Sequence, residues 1–506
     1  MLDTTTSSAI ATALLLTLAA FSALAEPAAG QAPLDGLEPY LESQRVAAGV
    51  PGLAVAVVHR DSVVLLRGFG VRRIGRLESV DPHTVFEIAS STKAFTAAGL
   101  GLLVAERRLR WDDPVIDHVP EFRVADPHLT AAITVRDLLT HRTGLPDPFA
   151  LWYRRPIARA EVLGRLRHLE AVGSFRAGYL YNNTMYMVAG AVAERISGTK
   201  WESFIARRLL RPLGMDDASV SIASLDGHPN AAAPHAKVDA TVSVVELFDG
   251  SAAAPAGAIN ASAADLARWL RFLLGRGRIG DVELLPGAMF DELVRPQVVL
   301  QSKPLAGLIQ PAFAGYGLGW LVHELDGYTV VQHGGNIDGM TAMIGFVPEL
   351  SLGVAVLANL NASGLPAAVL YEVVGRFAAP DVVPDWPGRL LARLDTLQRA
   401  AGAPSEPRIT GTRPSHPRPR YVGRYTSALL GEAAVTADSA SGELMLELGA
   451  FRVPLQHWHY DTFRAVWRDR LLGTALIRFE LDERGDVVRL HWPGLGDFDR
   501  ERRLGQ

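Results

Sequence analysis

Hydrophobic positions change period several times along the chain, and the changes divide it. Leu53 to His59 and Val63 to Phe69 are rich in β-branched and large apolar residues and are separated by Arg60-Asp61, which predicts a β-hairpin. A third short strand is predicted over Val85 to Ile88, running directly into Ala89-Ser90-Ser91-Thr92-Lys93. Ala94 to Arg107 is dense in Ala and Leu and reads as a buried helix. From about residue 130 to 290 the apolar spacing is that of packed helices, over Thr134 to Leu139, Val188 to Ile196, Trp201 to Leu210 and Ala264 to Leu274. Gly198 and Gly214 sit where two of these helices should end. Strands return over Tyr316 to Leu325, Tyr328 to Gln332, Met340 to Val347 and Leu352 to Leu357, followed by a helix over Pro366 to Phe377. Strands at both ends of a helical middle predict one antiparallel sheet built from both ends, flanked by helices. That is an α+β fold.

The pattern then breaks. Pro380, Pro384, Pro387, Pro404, Pro407, Pro414, Pro417 and Pro419 predict a proline-rich linker over 381–418 with one short helix from Arg389 to Arg399. From Tyr421 onward only short strands follow: Glu443 to Leu448, Phe451 to Gln456, Trp458 to Trp467, Thr474 to Leu481 and Val487 to Trp492. Asp482-Glu483-Arg484-Gly485-Asp486 is a hairpin turn between the last two. The expectation is a main domain over 34–380 and a small all-β barrel over 419–506. At the other end, Ile10 to Leu24 is apolar and closes on Ala23-Leu24-Ala25, a small-x-small cleavage pattern. A signal peptide over 1–25 and export to the periplasm or beyond are expected, with no stable membrane insertion after cleavage. The absence of Lys or Arg ahead of that segment, and the presence of Asp3, depart from the usual pattern.

Composition narrows the chemistry. The 506 residues are 48% hydrophobic and 21% charged with a net charge of −4, which suits a large folded core and gives no basic surface for nucleic acid. Cysteine is absent, which excludes disulfides, thiolate metal sites and a cysteine nucleophile. Only four of the 50 basic residues are lysines.

One of those four follows a serine by three positions. In Ser90-Ser91-Thr92-Lys93 a helix beginning at the serine brings the Lys93 amine back beside the Ser90 hydroxyl. Burial would lower that amine's pKa and let it take the serine proton, and the helix start offers free N–H groups to an oxyanion. The same spacing recurs in Ser197-Gly198-Thr199-Lys200, but there the glycine breaks the helix, so the match is coincidental. Tyr181-Asn182-Asn183 offers a phenol and an amide that face one way if the segment is extended. In His333-Gly334-Gly335 the glycines admit a substrate close to backbone. No serine sits in a Gly-x-Ser-x-Gly elbow, which argues against an α/β-hydrolase. His457-x-His459 has no acidic partner nearby and reads as structural. No metal or cofactor is expected.

Taken in order, Phe86-Glu87-Ile88-Ala89-Ser90-Ser91-Thr92-Lys93, Tyr181-Asn182-Asn183 and Gln332-His333-Gly334-Gly335-Asn336 resemble the three motifs of the serine β-lactamase and penicillin-binding-protein superfamily in its class C-like branch. Ile133 to Leu145, which contains Asp137 and His141, also resembles a segment of that branch, and the likeness spans roughly residues 38 to 378. The resemblance implies a Ser90 acyl-enzyme, with Lys93 and Tyr181 handling the proton and Asn183 positioning the substrate. The N–H groups of Ser90 and Asn336 would hold the oxyanion, His333 would line the opposite wall, and Gly335 would let the substrate lie close against backbone. True β-lactamases carry lysine where this chain has His333, so the resemblance implies an esterase or amidase first, then a D-amino-acid or cell-wall peptidase, then a β-lactamase. A non-catalytic penicillin- or peptide-binding protein would predict a damaged set of residues, and the set is complete. The C-terminal strands resemble lipocalin-like accessory domains of such hydrolases. The implied partner is a small ester, amide or short peptide, and the resemblance leaves room for a homo-oligomer.

Overall fold

A computed structural model describes residues 33–501, except 239–240, 249, 302–306, 381–384, 402–406, 439–440 and 468–473. The expected signal segment and its cleavage site at Ala25 lie outside the described residues, as do parts of the expected linker.

The hairpin forms as β1 (Gly52–His59) and β2 (Ser62–Gly70). Six further strands complete one antiparallel sheet: β3 (Val298–Val299), β4 (Ala314–Tyr316), β5 (Leu321–Leu325), β6 (Tyr328–Ile337), β7 (Met340–Val347) and β8 (Leu352–Ala358). The order is β2-β1-β8-β7-β6-β5-β4-β3, so the N-terminal hairpin closes onto the last strand of the domain. β1 is an almost unbroken apolar run because both of its faces are covered. Ala54, Ala56 and Val58 face α2 (Thr92–Ala105) and α4 (Ala263–Leu274), while Leu53, Val55 and Val57 face α1 (Leu37–Ala47) and α5 (Leu365–Ala378). α3 (Asn183–Ser197) packs on α2 in the helical layer.

Three elements differ from expectation. Tyr316 to Leu325 is two strands, because Gly319 adopts φ +82° and turns the chain against the Lys93 carbonyl, where a Cβ would come within 2.9 Å. The short strand Phe86–Glu87 pairs with Asn260–Ala261 and stays outside the main sheet. The expected linker contains α6 (Trp386–Ala401), longer than predicted and packed on α5, with Trp386 and Leu390 buried. Pro387 does not oppose this helix, since the first turn has no hydrogen bond for proline to remove, and Glu372 accepts the Trp386 N–H at 3.3 Å.

The C-terminal strands close into an eight-stranded antiparallel barrel: β9 (Gly423–Ser427), β10 (Gly431–Ala437), β11 (Leu444–Leu448), β12 (Phe451–His459), β13 (Thr462–Val466), β14 (Thr474–Leu481), β15 (Val487–Trp492) and β16 (Gly496–Arg500). Trp458 continues β12, and the turn falls two residues later at Tyr460, with φ 43°. Side chains fill the barrel: Tyr421, Tyr425, Phe463 and Phe479 meet there ring against ring.

Candidate active site

The strand Phe86–Glu87 ends in a turn where Ala89 takes a left-handed φ of 46° and Ala89–Ser91 form a single 3₁₀ turn before α2. This bend leaves Ser90 half-buried at the helix start. The flanking hydroxyls fix it: Ser91 Oγ donates to the His333 carbonyl at 3.0 Å, and Thr92 Oγ1 accepts the Ile259 N–H at 3.1 Å. Lys93 lies one residue into α2 and is fully buried.

The Lys93 amine donates to Ser90 Oγ (3.1 Å), Asn183 Oδ1 (2.7 Å) and the Ala256 carbonyl (2.9 Å). Two of those partners can only accept. Once the amine is neutral, its two remaining N–H bonds match Asn183 and Ala256, and its lone pair faces Ser90, which alone can return a proton. Burial pushes the amine down to about 7, against an opposing pull from Asp147. Asp147 also fixes the amide: Asn183 Nδ2 donates to it at 2.7 Å, which turns Oδ1 toward Lys93, and Thr184 Oγ1 donates at 2.8 Å. The Tyr181 hydroxyl donates to Ser90 Oγ at 2.8 Å. Burial raises Tyr181 far above its ordinary value, so it stays a phenol. The Lys93 amine lies 4.8 Å from the Tyr181 ring centroid.

Tyr181 thus reaches Ser90 directly, and Asn183 reaches the site through Lys93, by a different local route from the extended segment expected. Asn183 is the first residue of α3, and Asn182 is its cap, accepting the Met185 N–H at 3.0 Å. The Asn182 N–H donates to His141 Nδ1 at 3.0 Å, so neutral His141 carries its proton on Nε2, which is buried without a hydrogen-bond partner among the rings of Tyr181, Tyr186 and Tyr316. His333 is held as the other tautomer. Its Nδ1 lies 2.7 Å from the Gly334 carbonyl and must donate, so Nε2 accepts from the Tyr316 hydroxyl at 2.8 Å. Burial, then the nearby Lys93, lower His333 to about 3. It is neutral and buried behind the site, and it is not among the residues lining the cavity where the sequence had placed it as a wall.

Gly335 has a steric reason. A Cβ there would lie 2.0 Å from the Ile88 carbonyl oxygen and 3.1 Å from the Ser90 nitrogen, so β6 can pass flush against the serine turn only with glycine. Asn336 lines the same cavity, but its side chain is engaged elsewhere, accepting from Thr341 Oγ1 at 3.1 Å and the Ala362 N–H at 2.6 Å. The second Ser-x-x-Lys is not assembled: Ser197 Oγ lies against Thr199, Gly198 turns with φ 73°, and Lys200 is exposed. His457 pairs with the Tyr460 carbonyl on the barrel.

Ser90, Asn183 and Asn336 open onto a cavity of about 220 Å³. Its wall is mostly apolar, from Phe149, Trp152, Tyr153, Ile222, Phe248 and Ile337. The charged types lining it are Glu87 and Asp338; no Lys, Arg or His is among its described residues. Burial, reinforced by Asp338, holds the Glu87 carboxyl well above the usual carboxylate range. Asp338 is paired with Arg154 and accepts from the Tyr153 hydroxyl. Asp147, the Ala256 carbonyl and this aromatic wall had no signal in the sequence, since each is brought in from a separate loop.

The family model for Beta-lactamase matches residues 39–378, and that for a domain of unknown function (DUF3471) matches 407–504. The chain is similar to the unguisins hydrolase of Aspergillus violaceofuscus, at 28% identity over 78% of this chain and 75% of that protein. Its fold is similar to the octameric penicillin-binding protein homologue from Pyrococcus abyssi (TM-score 0.61, 22% identity, 93% of this chain and 98% of that one). It is also similar to a D-stereospecific amidohydrolase from Streptomyces (TM-score 0.54, 24% identity, 68% and 98%). With two thirds of its length matched by the family model and the serine centre of that fold in place, the chain belongs to the Beta-lactamase family and is a serine hydrolase.

Proposed function

We propose that the chain hydrolyses esters or amides of apolar acyl groups through an acyl-enzyme on Ser90. The observation that carries this is the ring of partners around Lys93, in which Ser90 alone can supply a proton. Neutral Lys93 takes the Ser90 proton as Oγ bonds to the substrate carbonyl carbon. The resulting oxyanion rests on the Ser90 and Asn336 N–H groups. The proton then passes to the leaving group through Lys93 or the Tyr181 hydroxyl, the ester or amide bond breaks, and water releases the acyl group by the same path in reverse. Lys93 is the base and Tyr181 a proton donor, because burial favours the neutral form of both.

Substrate preference follows from the wall. Among the described residues lining the cavity there is no Lys, Arg or His, so a β-lactam carboxylate finds no fixed positive partner there. Purified protein should turn over p-nitrophenyl butyrate and leave a chromogenic cephalosporin nearly untouched; a higher kcat/KM for the cephalosporin would overturn the preference. A peptidase is the second reading. Strand β5 stops pairing at Leu321–Gln332, so His333 to Ile337 pair only with β7, which leaves a strand edge an extended peptide could join. The name of the hydrolase relative supports hydrolysis generally. Export is also part of the proposal, supported by the Ile10 to Leu24 segment, and N-terminal sequencing of secreted material starting at Glu26 would test it.

A further inference from the structure

Two turns of the barrel sit on the aromatic wall of the cavity. The wall segment runs from Phe149 to Arg155 and contains Phe149, Trp152 and Tyr153. It is bent by Arg154, which takes a left-handed φ of 51° although it is not glycine. Such a conformation persists only where the surroundings hold it from several sides. On the cavity side, Arg154 donates to Asp338 at 2.7 Å, and the Tyr153 hydroxyl donates to the same carboxylate. On the other side lies the barrel. Arg155 donates to the Leu430 carbonyl, in the β9–β10 turn, at 2.6 Å. The Phe451 ring, at the β11–β12 turn, stacks on Tyr153 at 5.9 Å between centroids and a 29° tilt.

The fit is close at both turns. Gly431 and Gly449 have φ of +84° and +59°, and a Cβ on either would fall 2.8 Å from Arg165 Nη1 or Arg155 Cγ. Tyr153 is therefore clasped: Phe149 stacks on it at 4.3 Å, Phe248 meets it at 5.0 Å, and Phe451 closes the far side. Asp338 lies two residues after Asn336, so the same clasp reaches the strand that offers the oxyanion N–H.

We propose that the C-terminal barrel is a positioning element of the substrate site: its two turns hold the strained Phe149–Arg155 segment in place, and Phe451, through Tyr153, sets which acyl groups the serine centre accepts. This rests on the Ser90 reading above. Phe451 touches no reacting atom; it acts by fixing the wall against which a large acyl group packs.

The test compares kcat/KM for p-nitrophenyl 4-phenylbutyrate and p-nitrophenyl acetate in the full-length protein. In Phe451→Ala the phenylbutyrate-to-acetate ratio should fall about tenfold, the range in which a pocket discriminates apolar groups, and Phe451→Leu should restore most of it. Phe479→Ala, which opens the barrel's own core, should keep the wild-type ratio. If Phe451→Ala does not fold, Gly449→Ala presses the turn against Arg155 and should lower the same ratio. An unchanged ratio in the folded clasp variants, or an equal fall in Phe479→Ala, would overturn the proposal. Failure of the Ser90 reading is a separate result: both esters would still be hydrolysed by Ser90→Ala.

Discussion

The chain carries Ser-x-x-Lys twice, and only one copy is assembled so that serine and lysine meet. Ser90 and Lys93 open a buried helix, and the amine is surrounded by Ser90, Asn183 and Ala256. Ser197 and Lys200 straddle a helix end where Gly198 turns the chain, and the lysine is left in solvent. The spacing is equal, so the difference lies in the backbone, which Gly198 turns at the second copy, and in what each lysine is buried against. Desolvation takes the Lys93 amine down to about 7.

The largest way to break this comparison is at the serines. Ser90→Ala should lower turnover of p-nitrophenyl butyrate by about 10³-fold or more, in line with nucleophile removal elsewhere. Next comes Gly335→Ala, whose added methyl group collides with the Ile88 carbonyl beside Ser90. A displacement of about an ångström there should cost roughly a hundredfold in kcat, with the folded state checked by circular dichroism. Smaller is the pH effect. The proposed role of Lys93 requires the neutral amine, so kcat/KM of the wild-type protein should rise with pH through about 7. Asp147 opposes the lowering of Lys93, so Asp147→Asn should move that acid limb to lower pH, along with some loss of rate from the freed Asn183 amide. A limb that moves to higher pH would contradict the assigned coupling. At the far end of the scale, Ser197→Ala should leave turnover within about twofold of wild type, since surface changes rarely propagate.

Acid stability sharpens the same contrast between buried and exposed basic groups. His141, His333 and His323 are held below the ordinary imidazole value, chiefly by burial. Their folded-state affinity for protons is depressed, so the unfolded chain takes protons first as pH falls below about 6.5. The contribution of these three histidines is therefore fully present above that value and is lost progressively below it, while the raised carboxyls of Glu87 and Asp265 act in the opposite sense; the loss in denaturant melts between pH 7 and pH 5 should shrink in His323→Gln.

Much of this was legible in the chain. The hairpin, the strand–serine–helix junction and the sheet built from both ends all follow from periodic apolar runs, and those runs are long enough to dominate local structure. Polar partners were legible only where a motif spaced them. Tyr181 and Asn183 could be placed near Ser90, whereas Asp147 and the Ala256 carbonyl could not, because no local rule brings separate loops together. The α6 helix was shortened by reading prolines as breakers, although Pro387 occupies the one turn that tolerates it. In the barrel, Gly423–Ser427, Gly431–Ala437 and Gly496–Arg500 escaped individual assignment because small and charged residues dilute their alternation. Nothing in the sequence pointed from Phe451 to Tyr153, since that contact joins segments about 300 residues apart with no local rule to bring them together.

The central claim is that Ser90 carries the acyl group. Acid-quenching the protein during turnover of p-nitrophenyl butyrate, then digesting it and mapping the peptides by mass spectrometry, tests this directly. A single butyryl adduct is expected on the peptide containing Ser90, absent from Ser90→Ala. An adduct on the peptide containing Ser197, or undiminished turnover by Ser90→Ala, would contradict it.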